Sequence, residues 1–330
     1  LISLTPGLDK TLMTPNGSSA VGIALKLARA VTGKYKVLSF WDSFHGASLD
    51  VVSVSGESVF RENMGPMMPG VERIPPPITY RGIYEGNEDK ALEYLEYVLS
   101  KDNQIGAFLA ETVRNTDAQI PSKKFWQAAR KLCDRYGVLL ILDEIPIALG
   151  RTGKLFAYEH YDIIPDILCL GKGLGGGIIP QAAIVTKRQY DRFNHISLGH
   201  YTFEKSPMGA AAGLATLQIL EDENILQHVA QMEKKMLNNL KNLQNEFPII
   251  GDVRGIGLLW GVELVNDPVF KEEAVLEAEA IMYECLKNGL SFKVSKGNVL
   301  QLCPALTIDT KQLEEALTIL KNAFQKVTKS

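Results

Sequence analysis

Short apolar runs alternate with segments of helical period through the first two thirds of the chain. Val37–Trp41, Ile105–Ala110, Val138–Leu142, Ile167–Leu170 and Ala182–Val185 are apolar at successive positions. Strands buried on both faces read this way, whereas half-exposed strands alternate apolar with polar. Between these runs, apolar residues recur every three or four positions. Ile23, Leu27, Ala28 and Val31 form one such stripe, Leu92, Leu95, Val98 and Leu99 a second, and Phe125, Ala128, Ala129 and Leu132 a third. The order predicts an α/β domain with a mainly parallel central sheet flanked by helices.

The texture changes after about residue 222. A long charged helical segment, Asn224–Asn245, leads to a strand pair within Gly251–Leu264. A helix near Glu272–Lys287, a strand near Val299–Leu302 and a last helix near Lys311–Lys326 follow. This predicts a large domain over residues 1–222 and a smaller α+β domain over 223–330. No internal repeat or low-complexity tract interrupts either.

Composition narrows the function. The chain has 330 residues, 46% hydrophobic and 22% charged, with a net charge of -3. That is enough chain for two domains and no basic field for nucleic acid or an anionic membrane. A small-molecule partner is the expectation. No apolar run approaches a membrane span. Cys133, Cys169, Cys285 and Cys303 form no C-x-x-C pair, which predicts reduced thiols, a cytoplasmic setting and no zinc site. His45 and His200 have no accompanying ligand cluster, so no metal is expected. The chain carries no signal-peptide pattern. It opens at Leu1-Ile2-Ser3-Leu4 without an initiator Met, which predicts that an N-terminal segment is missing.

Ligands of open α/β sheets bind at the carboxyl ends of strands, and the unusual residues fall there. Val138–Leu142 ends in Asp143-Glu144, and Ile167–Leu170 in Gly171-Lys172-Gly173-Leu174-Gly175-Gly176-Gly177. Val37–Trp41 runs into Ser43-Phe44-His45-Gly46. A lysine whose pKa is lowered by burial or a nearby cation attacks carbonyls. A phosphate loop of the G-x-x-x-x-G-K-[ST] type is excluded, because the glycines follow Lys172 and Gly173 occupies the Ser/Thr position. Taken alone, a solvated lysine in a glycine-rich turn is an even alternative. A buried strand-end carboxylate such as Asp143 needs a partner, and a protonated ring nitrogen would serve. Thr14-Pro15-Asn16-Gly17-Ser18-Ser19-Ala20 opens the first helix and could leave N–H groups free for a phosphate, although simple capping by Asn16 or Ser18 explains it as well. Phe44 could cover a flat cofactor or be core.

Taken in order, these elements resemble the class III aminotransferases, of fold type I among pyridoxal 5'-phosphate (PLP) enzymes. The resemblance runs over nearly the whole chain. Asn16-Gly17-Ser18-Ser19-Ala20 with Ala24–Arg29 is similar to the family's S-G-A-E-A…A-x-K-L-A-R segment. Phe44-His45-Gly46 matches its aromatic-His-Gly element, and Asp143-Glu144 with Gly150-Arg151-Thr152-Gly153 its D-E…G-R-T-G. Lys172 with Gly175-Gly176-Gly177 and Pro180 resembles K-x-x-G-G-G-x-P with one added residue, and Asp252–Leu258 matches D-V-R-G-x-G-L. The resemblance implies that Lys172 forms the Schiff base and moves the proton, and that Asp143 binds the pyridinium nitrogen. Gly17 and Ser18 would hold the phosphate, Phe44 would stack on the ring with His45 beside it, and Ile145 would contact the other face. It also implies a homodimer in which Thr202 reaches the neighbouring subunit's cofactor.

The substrate side departs from the pattern. Pro146 replaces the glutamine of D-E-V-Q, Thr116 the second glutamate of E-P-V-Q-G-E, and Gln301 the arginine of R-x-x-P-P-L. Glutamine cannot make the bidentate, charge-assisted pair that arginine makes with a carboxylate. Arg114 stands where the family has a glutamine and is a candidate anion contact, with Gln301 a second substrate candidate. The leading expectation is an aminotransferase passing an amino group between an ω-amine or amino acid and a keto acid. The alternative is a PLP lyase that expels ammonia or phosphate from a small aminophosphonate or phospho-amine. The Asp143-Glu144-Ile145-Pro146 and Thr202-Phe203-Glu204-Lys205-Ser206-Pro207 stretches look most like the branch containing (R)-1-hydroxy-2-aminoethylphosphonate ammonia-lyases. A non-catalytic PLP-binding homologue is the third reading.

Overall fold

The computed structural model describes residues 1–328, which divide into two compact units. The first holds Leu1–Thr112, Pro121–Leu149 and Phe156–Ile219; the second holds Val113–Ile120, Gly150–Leu155 and the chain from Leu220 onward. The division is thus not a single cut, because two short segments from the first part of the chain cluster with the C-terminal part.

In the first unit the order is β1 (Lys10–Thr14), α1 (Gly17–Thr32), β2 (Lys36–Phe40), α2 (Leu49–Val54), β3 (Val71–Ile74), α3 (Glu88–Lys101) and β4 (Ile105–Glu111). Then come α4 (Lys123–Tyr136), β5 (Leu139–Asp143), β6 (Ile167–Leu170), β7 (Ala182–Thr186) and α5 (Pro207–Asp222), whose last residues from Leu220 are counted with the second unit. The strands form one sheet in the order β1-β7-β6-β5-β4-β2-β3. β3, β2, β4, β5 and β6 are mutually parallel. β7 opposes β6, and β1 opposes β7. All but β7 therefore point the same way, and their carboxyl ends share one edge.

Every residue of β4 to β7 is buried, as the continuous apolar runs require. β1 and β3 were not legible in that pattern. They are the two outer strands, they are only partly buried, and they carry polar residues such as Lys10, Glu72 and Arg73. α1 lays Ile23, Ala24, Leu27 and Ala28 against Ala107, Leu109, Ile141, Ile167 and Ile184 of the strands. Asn16 caps it, and Gly33 ends it in the left-handed region at φ 68.

The second unit contains α6 (Ile225–Glu246), β8 (Ile250–Ile256), β9 (Leu259–Leu264), α7 (Val275–Lys287), β10 (Lys293–Ser295), β11 (Val299–Leu302) and α8 (Thr310–Val327). Its antiparallel sheet runs β10-β11-β9-β8. Val113–Ile120 is tied to this sheet by Gln301 Nε2, which donates to Asn115 O at 2.5 Å, and by Arg254 Nε, which donates to Asp117 O at 2.8 Å. Gly150–Leu155 is tied to it by Arg151 Nη1, which donates to Leu258 O at 3.0 Å.

Candidate active site

The candidate site lies along the shared carboxyl edge of the first unit's sheet. β5 and β6 run side by side, pairing Asp143 with Cys169, and Glu144 N donates to Cys169 O at 3.0 Å. Lys172 follows β6 by two residues and is exposed. Its φ is +44, a left-handed conformation that costs a non-glycine residue roughly 1–2 kcal/mol. Such strain gathers where geometry serves function.

Asp143 is 2% exposed. Its Oδ1 accepts from Ile145 N at 3.1 Å, and its Oδ2 lies 2.8 Å from His45 Nδ1. His45 enters from the turn after β2. The same turn is pinned by Phe44 N, which donates to Glu111 Oε1 at 3.2 Å, and by His45 N, which donates to Ser55 Oγ at 2.9 Å. The Phe44 ring is backed by Phe60, with centroids 4.5 Å apart.

The start of α1 meets this turn. Gly46 sits at φ +134, where a Cβ would collide with Ser18 Oγ, and Ala47 N donates to Ser18 Oγ at 3.2 Å. Asn16 Oδ1 takes the N–H of Ser19 at 2.9 Å. Among the described residues the Gly17 and Ser18 N–H groups meet no acceptor. Two free donors at the positive end of a helix dipole suit a phosphate. Ile145 closes the group. A Cβ on Gly17 would lie 2.9 Å from Ile145 Cδ1, and one on Gly171 3.1 Å from Ile145 Cγ2.

The fold therefore gathers Gly17, Ser18, Phe44, His45, Asp143, Ile145 and the Gly171-Lys172 turn at one edge. Thr202 lies elsewhere in the same unit, exposed on a turn that Tyr201 N closes onto Glu204 Oε2 at 3.1 Å. Arg114 and Gln301 belong to the second unit. There Arg114 Nη1 meets Asp117 Oδ2 at 3.0 Å, with side-chain exposures of 7% and 2%. The guanidinium proposed from the sequence as an anion contact thus already faces a buried carboxylate.

Two neighbours of Asp143 titrate abnormally. Burial pushes the Glu144 carboxyl up to about 7, against the donors Ala157 N, Tyr158 N and Thr112 Oγ1. Burial, helped by Asp143, also pushes the Cys169 thiol well up, so it is no nucleophile. Among the described residues no group of His, Cys, Asp and Glu could hold a metal ion, and no helix is long and apolar enough to cross a membrane.

The sequence did not reveal the His45–Asp143 contact, which joins residues 98 positions apart, or Phe60 behind Phe44. Neither pairing has a sequence signal, because spacing along the chain says nothing of which strand ends are neighbours.

The residues present fit PLP. A buried carboxylate suits a ring nitrogen, a lysine at a strained turn an aldehyde, an aromatic ring a flat heterocycle, and two free N–H groups a phosphate. Comparisons with known proteins agree. The profile of the family described as aminotransferase class-III matches residues 1–324. The (R)-1-hydroxy-2-aminoethylphosphonate ammonia-lyase of Vibrio splendidus (strain 12B01) is 52% identical, over 98% of this chain and 71% of that protein. The leucine/methionine racemase of Thermococcus litoralis is 33% identical, over 94% of this chain and 72% of its own length. The structure of a PLP-bound amine transaminase from an uncultivated Pseudomonas species superposes with a TM-score of 0.90 at 28% identity, covering 97% of this chain and 77% of that one. This chain belongs to the class III aminotransferase family, the fold type I enzymes whose cofactor is pyridoxal phosphate.

Proposed function

We propose that this chain is a PLP-dependent lyase that releases ammonia from a small hydroxylated aminophosphonate. The observation that carries the reading is the 52% identity to an (R)-1-hydroxy-2-aminoethylphosphonate ammonia-lyase across 98% of the chain. The replacements at Thr116 and Gln301 point the same way, since they alter the substrate side while Lys172, Asp143 and Phe44 are kept. Gln301, at the position of the family's carboxylate-binding arginine, spends its amide on Asn115 O and is 8% exposed.

When bound, the cofactor withdraws electrons from the carbon that bears the substrate amine. Asp143 would hold the ring nitrogen, and Gly17 and Ser18 would offer N–H groups to the phosphate. Phe44 and Ile145 would flank the ring, with His45 beside Asp143. The Lys172 amine takes the proton from the amine-bearing carbon and returns one later, as general base and then acid. Loss of hydroxide from the neighbouring carbon and later addition of water cancel, so the products are ammonia and a phosphonate-bearing aldehyde.

The leading expectation from the sequence, amino-group transfer to a keto acid, is the second reading. It draws on the likeness to amine transaminases. We also propose that two copies assemble, with Thr202 reaching across. Phe203 at 73%, Met208 at 67% and Leu214 at 70% exposure leave the Thr202 turn and α5 with an apolar surface suited to a partner copy.

Incubating the holoenzyme with 1-hydroxy-2-aminoethylphosphonate and no keto acid separates the readings. Many equivalents of ammonia per active site support the lyase. Amino transfer only when a keto acid is added would replace it with the transaminase. A protein that binds PLP but turns over neither would be the non-catalytic homologue.

A further inference from the structure

We propose that Arg61 and Arg73, both stacked on Trp41 beside the Phe44 turn, form an anion subsite that holds the substrate's phosphonate group. The inference rests on the phosphonate reading of the site.

Trp41 follows β2 directly, at the sheet edge that carries Asp143 and Lys172. The chain then folds back over this turn. Gly56 N and Glu57 N both donate to Ser43 O, at 2.8 and 3.1 Å, and Phe60 backs the Phe44 ring. Arg61 comes next, with its guanidinium carbon 5.5 Å from the centre of the Trp41 ring. Arg73, on β3, sets its own 5.2 Å from the same ring. At such distances a guanidinium is attracted to the face of an indole.

The two charges are poorly compensated from inside the protein. Among the described residues neither guanidinium has a carboxylate at ion-pair distance. Arg73 Nε donates to Ser55 O at 3.0 Å and its Nη2 to Ser53 O, which fixes the group without neutralising it. Arg61 Nε is buried and has no hydrogen-bond partner. Such an atom is unfavourable until something pairs with it. Burial, and then the charge of Arg61, push the Arg73 guanidinium down to about 10, against a weaker pull from Glu72. An oxyanion against both cations relieves that repulsion. A phosphonate does so better than a carboxylate, with more negative charge and more acceptor oxygens for the planar forks. Both arginines are half-buried and Trp41 is 43% exposed, so solutes reach the pair.

Trp41 is also the reporter, because the other two tryptophans, Trp126 and Trp260, are 0% and 2% exposed. Methylphosphonate titrated into the holoenzyme should shield Trp41 fluorescence from acrylamide, saturably. It should also compete with the aminophosphonate substrate, raising its KM. Arg61→Met keeps the stem and removes the fork. We expect it to weaken the shielding and raise the KM about tenfold or more, the scale of a lost charge-assisted hydrogen bond, and to raise KM more than it lowers kcat. Arg61→Lys, which keeps the charge, should recover part of the loss. Should Arg61→Met fail to fold, the competition in the parent still decides.

If the parent releases ammonia from the phosphonate while Arg61→Met keeps the parent's KM and shielding, only the subsite falls, and the arginines merely pack on Trp41. Methylphosphonate that shields Trp41 without competing with the substrate overturns the assignment to the substrate's head group. If the parent turns over no phosphonate, the functional reading falls. The shielding then reports on the subsite alone: saturable and Arg61-dependent protection upholds an anion site, and none removes it.

Discussion

Replacing Asp166 with asparagine should destabilise the fold while leaving the cofactor site untouched. Asp166 precedes β6, at the edge of the sheet opposite Lys172. Its Oδ2 accepts from Arg130 Nη1 at 2.7 Å and Leu140 N at 2.9 Å, and its Oδ1 from Lys187 Nζ at 2.7 Å and Tyr190 OH at 2.8 Å. Asparagine offers one oxygen, so whichever way the amide turns, its NH2 faces two donors. Removing one partner of a buried ion pair typically costs about 3–5 kcal/mol, because the other charge is left uncompensated. Lys187 can turn to water at 30% side-chain exposure, whereas Arg130, at 12%, keeps only its pair with the exposed Asp134 at 2.7 Å. The lower end, about 3 kcal/mol, is the expected loss in urea unfolding at pH 7. Burial alone would raise the Asp166 carboxyl, but Arg130, Lys187 and the Leu140 N–H outweigh it and hold it below its ordinary value. The stabilisation is therefore complete above the unfolded value of about 3.9 and fades as pH falls through the folded one. The gap between parent and Asp166→Asn should narrow as pH falls below about 4, towards the lowered folded value. A loss under about 1 kcal/mol at pH 7, or a gap that does not narrow at all as pH falls below about 4, would refute this. So would a changed affinity for PLP.

Lys172→Ala should abolish borohydride-stable attachment of the cofactor, read as the missing mass increment on the peptide carrying residue 172; an unchanged increment would place the attachment elsewhere. Glu144 is protonated more readily folded than unfolded, with a folded value of about 7. The parent should thus lose stability as pH rises from about 4 to about 7, by up to about 3 kcal/mol, and Glu144→Gln should flatten that slope in urea titrations; parallel curves would contradict the burial argument. Arg114→Met should destabilise by taking the guanidinium from Asp117 Oδ2, which keeps the Gln119 amide at 3.2 Å, and Asp117→Asn in the same chain should recover part of the loss, with a coupling of about 1 kcal/mol or more. Unchanged stability with a raised KM for the phosphonate would instead restore Arg114 as a substrate contact.

The interior strands were legible because burial on both faces leaves an unbroken apolar signature. β2, β4, β5, β6 and β7 begin and end within one residue of the runs read from the sequence. The long helices were legible by their stripes, and α6, α7 and α8 fall close to the expected segments. The outer strands β1 and β3 and the three-residue β10 were not, since an edge strand needs no continuous apolar run. α5 also went unread. Its apolar residues are spread around the helix and many are exposed, so no stripe marks a buried face.

By itself, the order of short motifs along the chain determined the family, the cofactor and the residues with chemical potential, because each motif is a local demand of backbone and side chain. Tertiary structure alone decided which of them meet. It paired His45 with Asp143 across 98 residues, seated Ile145 between Gly17 and Gly171, and set Arg114 against Asp117 within the second unit. Those outcomes depend on the order and direction of strands in the sheet, and hydrogen bonding between distant segments fixes that order without leaving a period or spacing to read.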